Sequence, residues 1–470
     1  MDPIARPQPP PHDLVVRGGT VRTPGGLREA DVAVAGERIA AVEPGVAPGR
    51  DEVDARGLLV LPGGIDAHVH SRDPGFPEKE DFASLTAAAA AGGITTVADM
   101  PNTVPAVESA AVLLEKAELA SGRALVDFAL WGLLGARSTV EDVEGLLDAG
   151  AVGLKAYLGY AIRRVDRQVI YTPDLDDAGL EAPADYGAVA RLAPDLVRRG
   201  APLAAHCEDP SVLRAFRRPL RAYGDLLAAR PALAEAVAIA ALGVISQRTG
   251  LEVQIVHLSS ALGLAAARDA GRAGARLVLE TCPQYLWLAD EDAARLGPAA
   301  KMLPPIRTAA DRAALREALA AGRIARVATD HAPHADREKL GASLEEAPPG
   351  SSGVETLYLS CLELARGQGD VASAARWVAE EPARTLGLGP RKGAIRPGAD
   401  ADLVLVDPRG ETVVRAEGMH SRQRHGAMEG QRFGFAVRAV YARGELVARD
   451  GRPVARPGRG RLVRPVRPVR

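Results

Sequence analysis

The histidines of this chain fall where metal chemistry could use them. Two stand in His68-Val-His70, one in Ala205-His206-Cys207, one in Val256-His257-Leu258, and two follow Asp330 in Asp330-His331-Ala332-Pro333-His334. Strand side chains alternate between faces, so His68 and His70 share a face and can converge on one ion. Taken singly, His206 and His257 read equally well as core histidines. Together with Asp330, the four imidazoles make a nitrogen and oxygen shell suited to zinc or another borderline divalent ion. Lys155 closes a further apolar run, Val152-Gly153-Leu154-Lys155. An ammonium would be repelled there by two cations. An amine that has reacted with carbon dioxide is a carbamate anion, whose two oxygens can bridge metals about 3.5–4 Å apart. Arg72, just beyond His70, offers a planar guanidinium that can grip a carboxylate.

These groups need a frame that brings distant segments to one place. Eight apolar, strand-like runs occur: 64–70, 95–100, 126–134, 152–158, 202–207, 253–258, 276–281 and 326–330. Between them lie Ala/Leu-rich stretches of helical length, among them 82–91, 231–247 and 309–321. This alternation predicts an α/β fold, a (β/α)8 TIM barrel, in which chemistry gathers at the C-terminal ends of the strands. The runs end at His68 and His70, Asn102, Lys155, His206, His257 and Asp330, which packing alone does not explain. A doubly wound open sheet is the alternative, but it leaves that placement unaccounted for.

Residues 13–60 read as short strands between Gly and Pro turns, and the style returns in 391–452. The expectation is a small β-sandwich domain built from both chain ends, flanking a hydrolase barrel over 61–390. The Pro- and Arg-rich segment 453–470 reads as a basic, disordered tail. Segments 163–185 and 335–352 are long, polar loops, either of which could close over a substrate.

Of the 470 residues, 47% are hydrophobic and 25% charged, ordinary values for a globular protein with a large core. A net charge of −2 provides no field for nucleic acid or an anionic membrane, so the expected partner is a small molecule. Three cysteines without Cys-x-x-Cys spacing argue against a disulfide scaffold and point to a reducing cytoplasm. Neither a signal peptide nor a membrane-spanning stretch is legible.

The ordered set His68-Val-His-Ser-Arg-Asp-Pro-Gly, Ala91-Gly-Gly-Ile-Thr-Thr-Val, Met100-Pro-Asn-Thr, Gly153-Leu-Lys and Ala328-Thr-Asp-His-Ala-Pro-His resembles the cyclic amidohydrolases of the amidohydrolase superfamily, dihydroorotase most closely. The resemblance runs over nearly the whole chain. It implies two divalent metal ions, zinc by preference. His68, His70 and Asp330 would hold one, His206 and His257 the other, and Lys155, carboxylated by carbon dioxide, would bridge both. A water activated by the metals would attack a ring carbonyl. Asp330 would be the catalytic residue, first accepting a proton and then passing it to the leaving nitrogen. The family also implies a homodimer or homotetramer.

The resemblance further implies that Arg72, Asn102 and His334 hold the carboxylate of dihydroorotate, which places the enzyme in pyrimidine biosynthesis. Two features point elsewhere. Leu303 stands in Lys301-Met-Leu-Pro-Pro-Ile-Arg where many dihydroorotases have Asn, and Glu280-Thr-Cys-Pro-Gln-Tyr-Leu looks more like allantoinase or hydantoinase. An allantoinase- or hydantoinase-type ring-opening hydrolase is therefore the alternative. A catalytically inactive scaffold paralogue is a third reading, and loss of metal ligands would mark it.

Overall fold

The computed structural model describes residues 11–173, 177–181 and 184–467. The Pro-rich start, residues 174–176 and 182–183 within the first long loop, and the last three residues of the basic tail lie outside them.

Nine segments, making eight strands, pair in parallel around a closed barrel. Gly64–Val69, Ile94–Asp99 and Asp127–Leu130 form one arc. Gly132–Leu133, Leu154–Tyr157, Leu203–His206, Glu252–Ile255, Arg276–Thr281 and Arg326–Val327 form the other. The arcs join where Trp131 N donates to Asp99 O at 3.0 Å and Val152 N to Leu130 O at 2.9 Å. On the far side His70 N donates to His331 O at 2.7 Å. The run 126–134 is thus one barrel strand interrupted at Trp131, whose indole fills the barrel axis. Trp131 Nε1 donates to Ala67 O at 3.2 Å, and a Cβ at Gly153 would meet the indole at 2.6 Å. Small residues on the facing strands, Ala67, Ala98, Ala129 and Ala204, make the room.

Helices cover the outside. Phe82–Ala91 is capped by Asp81 in a box with Ser84, and Ala309–Ala320 by Thr308 with Asp311. The helical stretch Tyr223–Thr249, which includes the helix Ala232–Thr249, is long and apolar enough to cross a membrane by length and composition. Its inner residues Ala234, Ala238, Ile239 and Leu242 are instead buried on the barrel, and Glu235 on that face accepts from the Ser259 amide and both Ser259 and Ser260 hydroxyls.

The two chain ends are woven into one nine-stranded sheet. Leu403–Asp407 runs antiparallel to Leu59–Pro62, which itself lies parallel to part of His12–Thr23. That first strand is bulged between Val16 and Gly19, and the bulge turns the sheet. Gly18 sits there at φ 64°, while at Gly19 a Cβ would lie 2.5 Å from Val60. Leu14, Val32, Ile39, Leu403, Leu405 and Tyr441 form a common core from both ends.

The basic tail differs from the expectation of a solvated arm. Arg452–Pro453 adds a strand to the sheet, and the chain then crosses the barrel floor. Phe128 N donates to Arg461 O at 3.0 Å, and Val463 N to Phe128 O at 2.7 Å. Val463, 2% exposed, packs with Ala383 and Leu386 under the barrel interior. Several arginines that make the segment look solvated are partnered: Arg459 with Glu445, Arg461 with Glu37, and Arg467 with the carbonyl of Val152. Composition reports charge but not the alternation that turns Val463 inward.

Candidate metal centre and active site

Every strand end expected to carry chemistry opens on one cavity. It is lined by His68, His70, Arg72, Asn102, Lys155, His206, His257 and Asp330, with Tyr157, Tyr160, Tyr171, Met302, Leu303 and Pro349–Gly350 completing the wall. Three lining residues hold a left-handed backbone without being glycine: Arg72 at φ 60°, His257 at 43° and Asp330 at 51°. Such conformations cost about 1–3 kcal/mol each and persist only where surroundings enforce them.

One half of the site gathers around Asp330. Its Oδ1 lies 3.0 Å from His70 Nε2 and 3.3 Å from His68 Nε2, so the three side chains form a compact donor group. The outer nitrogens are already committed. His68 Nδ1 lies 3.0 Å from Glu280 Oε1, and Glu280 is paired at 2.7 Å with the fully buried Arg326. His70 Nδ1 lies 2.6 Å from Asn102 Oδ1. Asp99 supports the loop by accepting from Ser71 N at 2.6 Å while paired with Lys116.

The other half is built alike. His206 Nε2 lies 2.9 Å from Glu208 Oε2, and Glu208 is paired with Arg230. His206 Nδ1 therefore faces inward, 3.0 Å from His257 Nε2. His257 Nδ1 has no hydrogen-bond partner among the described residues, so the nitrogen it turns toward His206 is the one nearest the cavity. Lys155 Nζ, fully buried nearby, has no hydrogen-bond partner among the described residues.

Electrostatics fits this donor set to cations. Burial pushes the Lys155 amine down to about 8, which raises the neutral fraction able to combine with carbon dioxide. Burial also holds His206 and His257 neutral, the latter well below the usual imidazole range, and brings His70 down to about 4. Burial raises the carboxyl of Asp330, but the neighbouring His68 and His70 outweigh it and bring it to about 2. Neutral imidazoles, an ionised carboxylate and an unpartnered buried amine are what a divalent pair requires.

On the substrate side, the expected trio Arg72, Asn102 and His334 is brought together, but its donors are already engaged. Arg72 donates from Nε to Pro333 O at 3.2 Å and from NH1 to the Tyr171 hydroxyl at 2.8 Å, and its NH2 lies 3.1 Å from His334 Nε2. Asn102 donates to the same Tyr171 hydroxyl at 2.8 Å. His334 Nε2 also lies 3.0 Å from Pro349 O. The second long loop is pinned in place, since Lys339 Nζ reaches the carbonyls of Lys301, Pro348 and Gly350 at 3.0, 3.0 and 2.7 Å.

The profile of the Amidohydrolase family matches residues 59–447, most of the chain and all of the barrel. The chain belongs to the amidohydrolase family. An allantoinase of Rubrobacter xylanophilus is 39% identical over 464 residues, covering 97% of this chain and 98% of its own. A dihydroorotase of Halobacterium salinarum is 36% identical over 451 residues, covering 94% and 98%. The crystallised L-hydantoinase (dihydropyrimidinase) of Arthrobacter aurescens superposes with a TM-score of 0.89 at 27% identity, covering 96% of this chain and all of that one. This amidohydrolase is accordingly a hydrolase of cyclic amides.

Reasoning from sequence missed the residues behind the ligands. Glu208 stands two places after His206, and Glu280 opens the Cys282 segment, so strand alternation held a signal for both. Tyr157, two beyond Lys155 on the same strand, lines the site with a hydroxyl that has no hydrogen-bond partner among the described residues. Cys207, adjacent to His206, is packing: its buried thiol is pushed upward and donates to Ala205 O.

Proposed function

We propose that this amidohydrolase opens the ring of allantoin or a similar uncharged cyclic ureide, rather than that of dihydroorotate. The observation that carries the reading is the pairing of Arg72 with Tyr171. The guanidinium and amide that would clamp a ring carboxylate already converge on the Tyr171 hydroxyl at 2.8 Å each. Leu303 on the cavity wall supports it, since a leucine contributes no hydrogen bond to a ring amide. Identity to an allantoinase, 39%, also exceeds that to a dihydroorotase, 36%.

In this reading His68 and His70 through Nε2, with Asp330, would hold one divalent ion, His206 through Nδ1 and His257 through Nε2 would hold the other, and Lys155 as its carbamate would serve both. The carbamate forms when the neutral amine adds to carbon dioxide and releases one proton. When bound, the ions, zinc by donor type, would supply Lewis acidity to a ring carbonyl and to water. Asp330, ionised and placed between the half-sites, takes the proton of the attacking water and delivers it to the ring nitrogen as the C–N bond breaks. Tyr157 and Tyr160 offer hydroxyls to the carbonyl oxygen as charge builds on it.

Dihydroorotate is the second reading, favoured because the buried Arg72 has no carboxylate partner among the described residues. Ring-opening rates on purified, metal-analysed protein with allantoin, hydantoin, dihydrouracil and dihydroorotate side by side decide between them. A preference for dihydroorotate would sink the ureide reading, and no turnover with both metals bound would restore the scaffold one. A homodimer or homotetramer is supported by an apolar stripe, Leu233, Val237 and Val244 with Leu262, on the outer face of adjacent helices. Val244→Glu would then lower the mass measured by sedimentation. Three buried free thiols support a cytoplasmic setting.

A further inference from the structure

The Tyr171 hydroxyl receives two donors and, among the described residues, gives to none. Arg72 NH1 and Asn102 Nδ2 each approach it at 2.8 Å, and a phenol oxygen has two lone pairs to accept them. Its own proton is therefore directed away from both, and no acceptor for it occurs among the described residues. Tyr171 is half-buried and lines the cavity. Its ring stands edge-on to Tyr160 at 5.3 Å, and Tyr160 packs on His206 at 4.4 Å. Its backbone is fixed as well, because Arg230, the partner of Glu208, donates to Tyr171 O at 3.2 Å. The phenol is thus held at both ends and aimed at the space above the ligands.

We propose that Tyr171 is a specificity-determining residue: its hydroxyl fills the anion position formed by Arg72 and Asn102 and presents its proton to an oxygen of an uncharged ring. This rests on the cyclic-ureide reading and deepens it. A hydroxyl accepting from a guanidinium is a stronger donor than a free phenol, because hydrogen bonds in a chain polarise one another. A carboxylate would bind Arg72 more strongly than a phenol does, through charge-assisted bonds, but it must first displace the hydroxyl from both donors. Tyr171 thereby favours neutral rings without introducing any repulsive charge.

Tyr171→Phe keeps the ring and removes only the oxygen. With the metal-loaded enzyme, kcat/KM for allantoin is expected to fall at least tenfold, while succinate, a simple dicarboxylate probe, binds at least tenfold more tightly by calorimetry. Adding Arg72→Met to Tyr171→Phe is expected to abolish the gain in succinate affinity. Unchanged or weaker succinate binding in Tyr171→Phe, a gain that survives loss of Arg72, or an undiminished allantoin rate would each overturn the proposal. Succinate binding does not depend on which ring the enzyme opens. A wild type that prefers dihydroorotate would therefore defeat the ureide reading alone and leave the succinate ratio to judge Tyr171.

Discussion

The side-chain oxygen of Asn102 lies 2.6 Å from Nδ1 of His70 and accepts its proton, which fixes that imidazole with Nε2 toward Asp330. An asparagine expected at the substrate thus also stands behind a metal ligand, its oxygen on His70 and its amide nitrogen on the cavity-lining Tyr171. Outer partners of ligating histidines set tautomer and ring orientation, and their loss typically weakens metal binding by about 10–100-fold. Asn102→Ala is therefore expected to lower metal affinity by that order in chelator competition. Unaltered metal affinity with a raised KM would return Asn102 to the substrate.

Lys155 Nζ is fully buried without a hydrogen-bond partner among the described residues, and lies over the face of the Tyr157 ring, 5.0 Å from its centre. Lys155→Ala is expected to lose most bound metal and activity, and a short carboxylic acid should restore part of both by standing in for the carbamate. Full metal content measured in the unrescued variant would remove the bridging role.

Acid should unfold the metal-free protein in two stages. Burial lowers His70 from 6.5 to about 4, so the folded state binds fewer protons than the unfolded one between those values and loses stability as pH falls through them. In Glu208 and Glu280 burial is outweighed, by Arg230 and Arg326 respectively, and both carboxyls fall from 4.5 to about 2. Their contribution is complete above 4.5 and disappears as pH drops toward 2. Glu280→Gln should be less stable at pH 7, because Arg326 is left unpaired, yet lose less between pH 4.5 and 2 in urea titrations. An unchanged acid slope would contradict the assignment.

The floor of the barrel offers a test of the tail. Val463→Asp places an unpaired charge among Ala383 and Leu386 and should cost about 3 kcal/mol in denaturant unfolding. A cost near zero would mean that the segment does not pack there in solution.

The barrel and its ligands were legible because period and placement carry them: of eight apolar runs, each long enough to register, six ended in polar residues that packing does not want. Sequence could not supply what depends on who meets whom across the barrel. Glu280 and His68 are 212 residues apart, and nothing local links them. The bond from His70 to Asn102 was not legible either, because a motif names a residue but not the direction in which each end of its amide points. The tail misled for a related reason, since charge is counted in a sequence while partners such as Glu37 and Glu445 appear only in space.

The pairing of Leu403–Asp407 with Leu59–Pro62 also constrains how the molecule is made. During translation the edge of Leu59–Pro62 has to wait, unpaired, while the whole barrel is synthesised, and the strand that covers it emerges almost last. A nascent chain of this protein therefore carries an open β-edge for most of its time on the ribosome. That interval, more than the finished fold, is when strand-for-strand association with another chain competes with native closure.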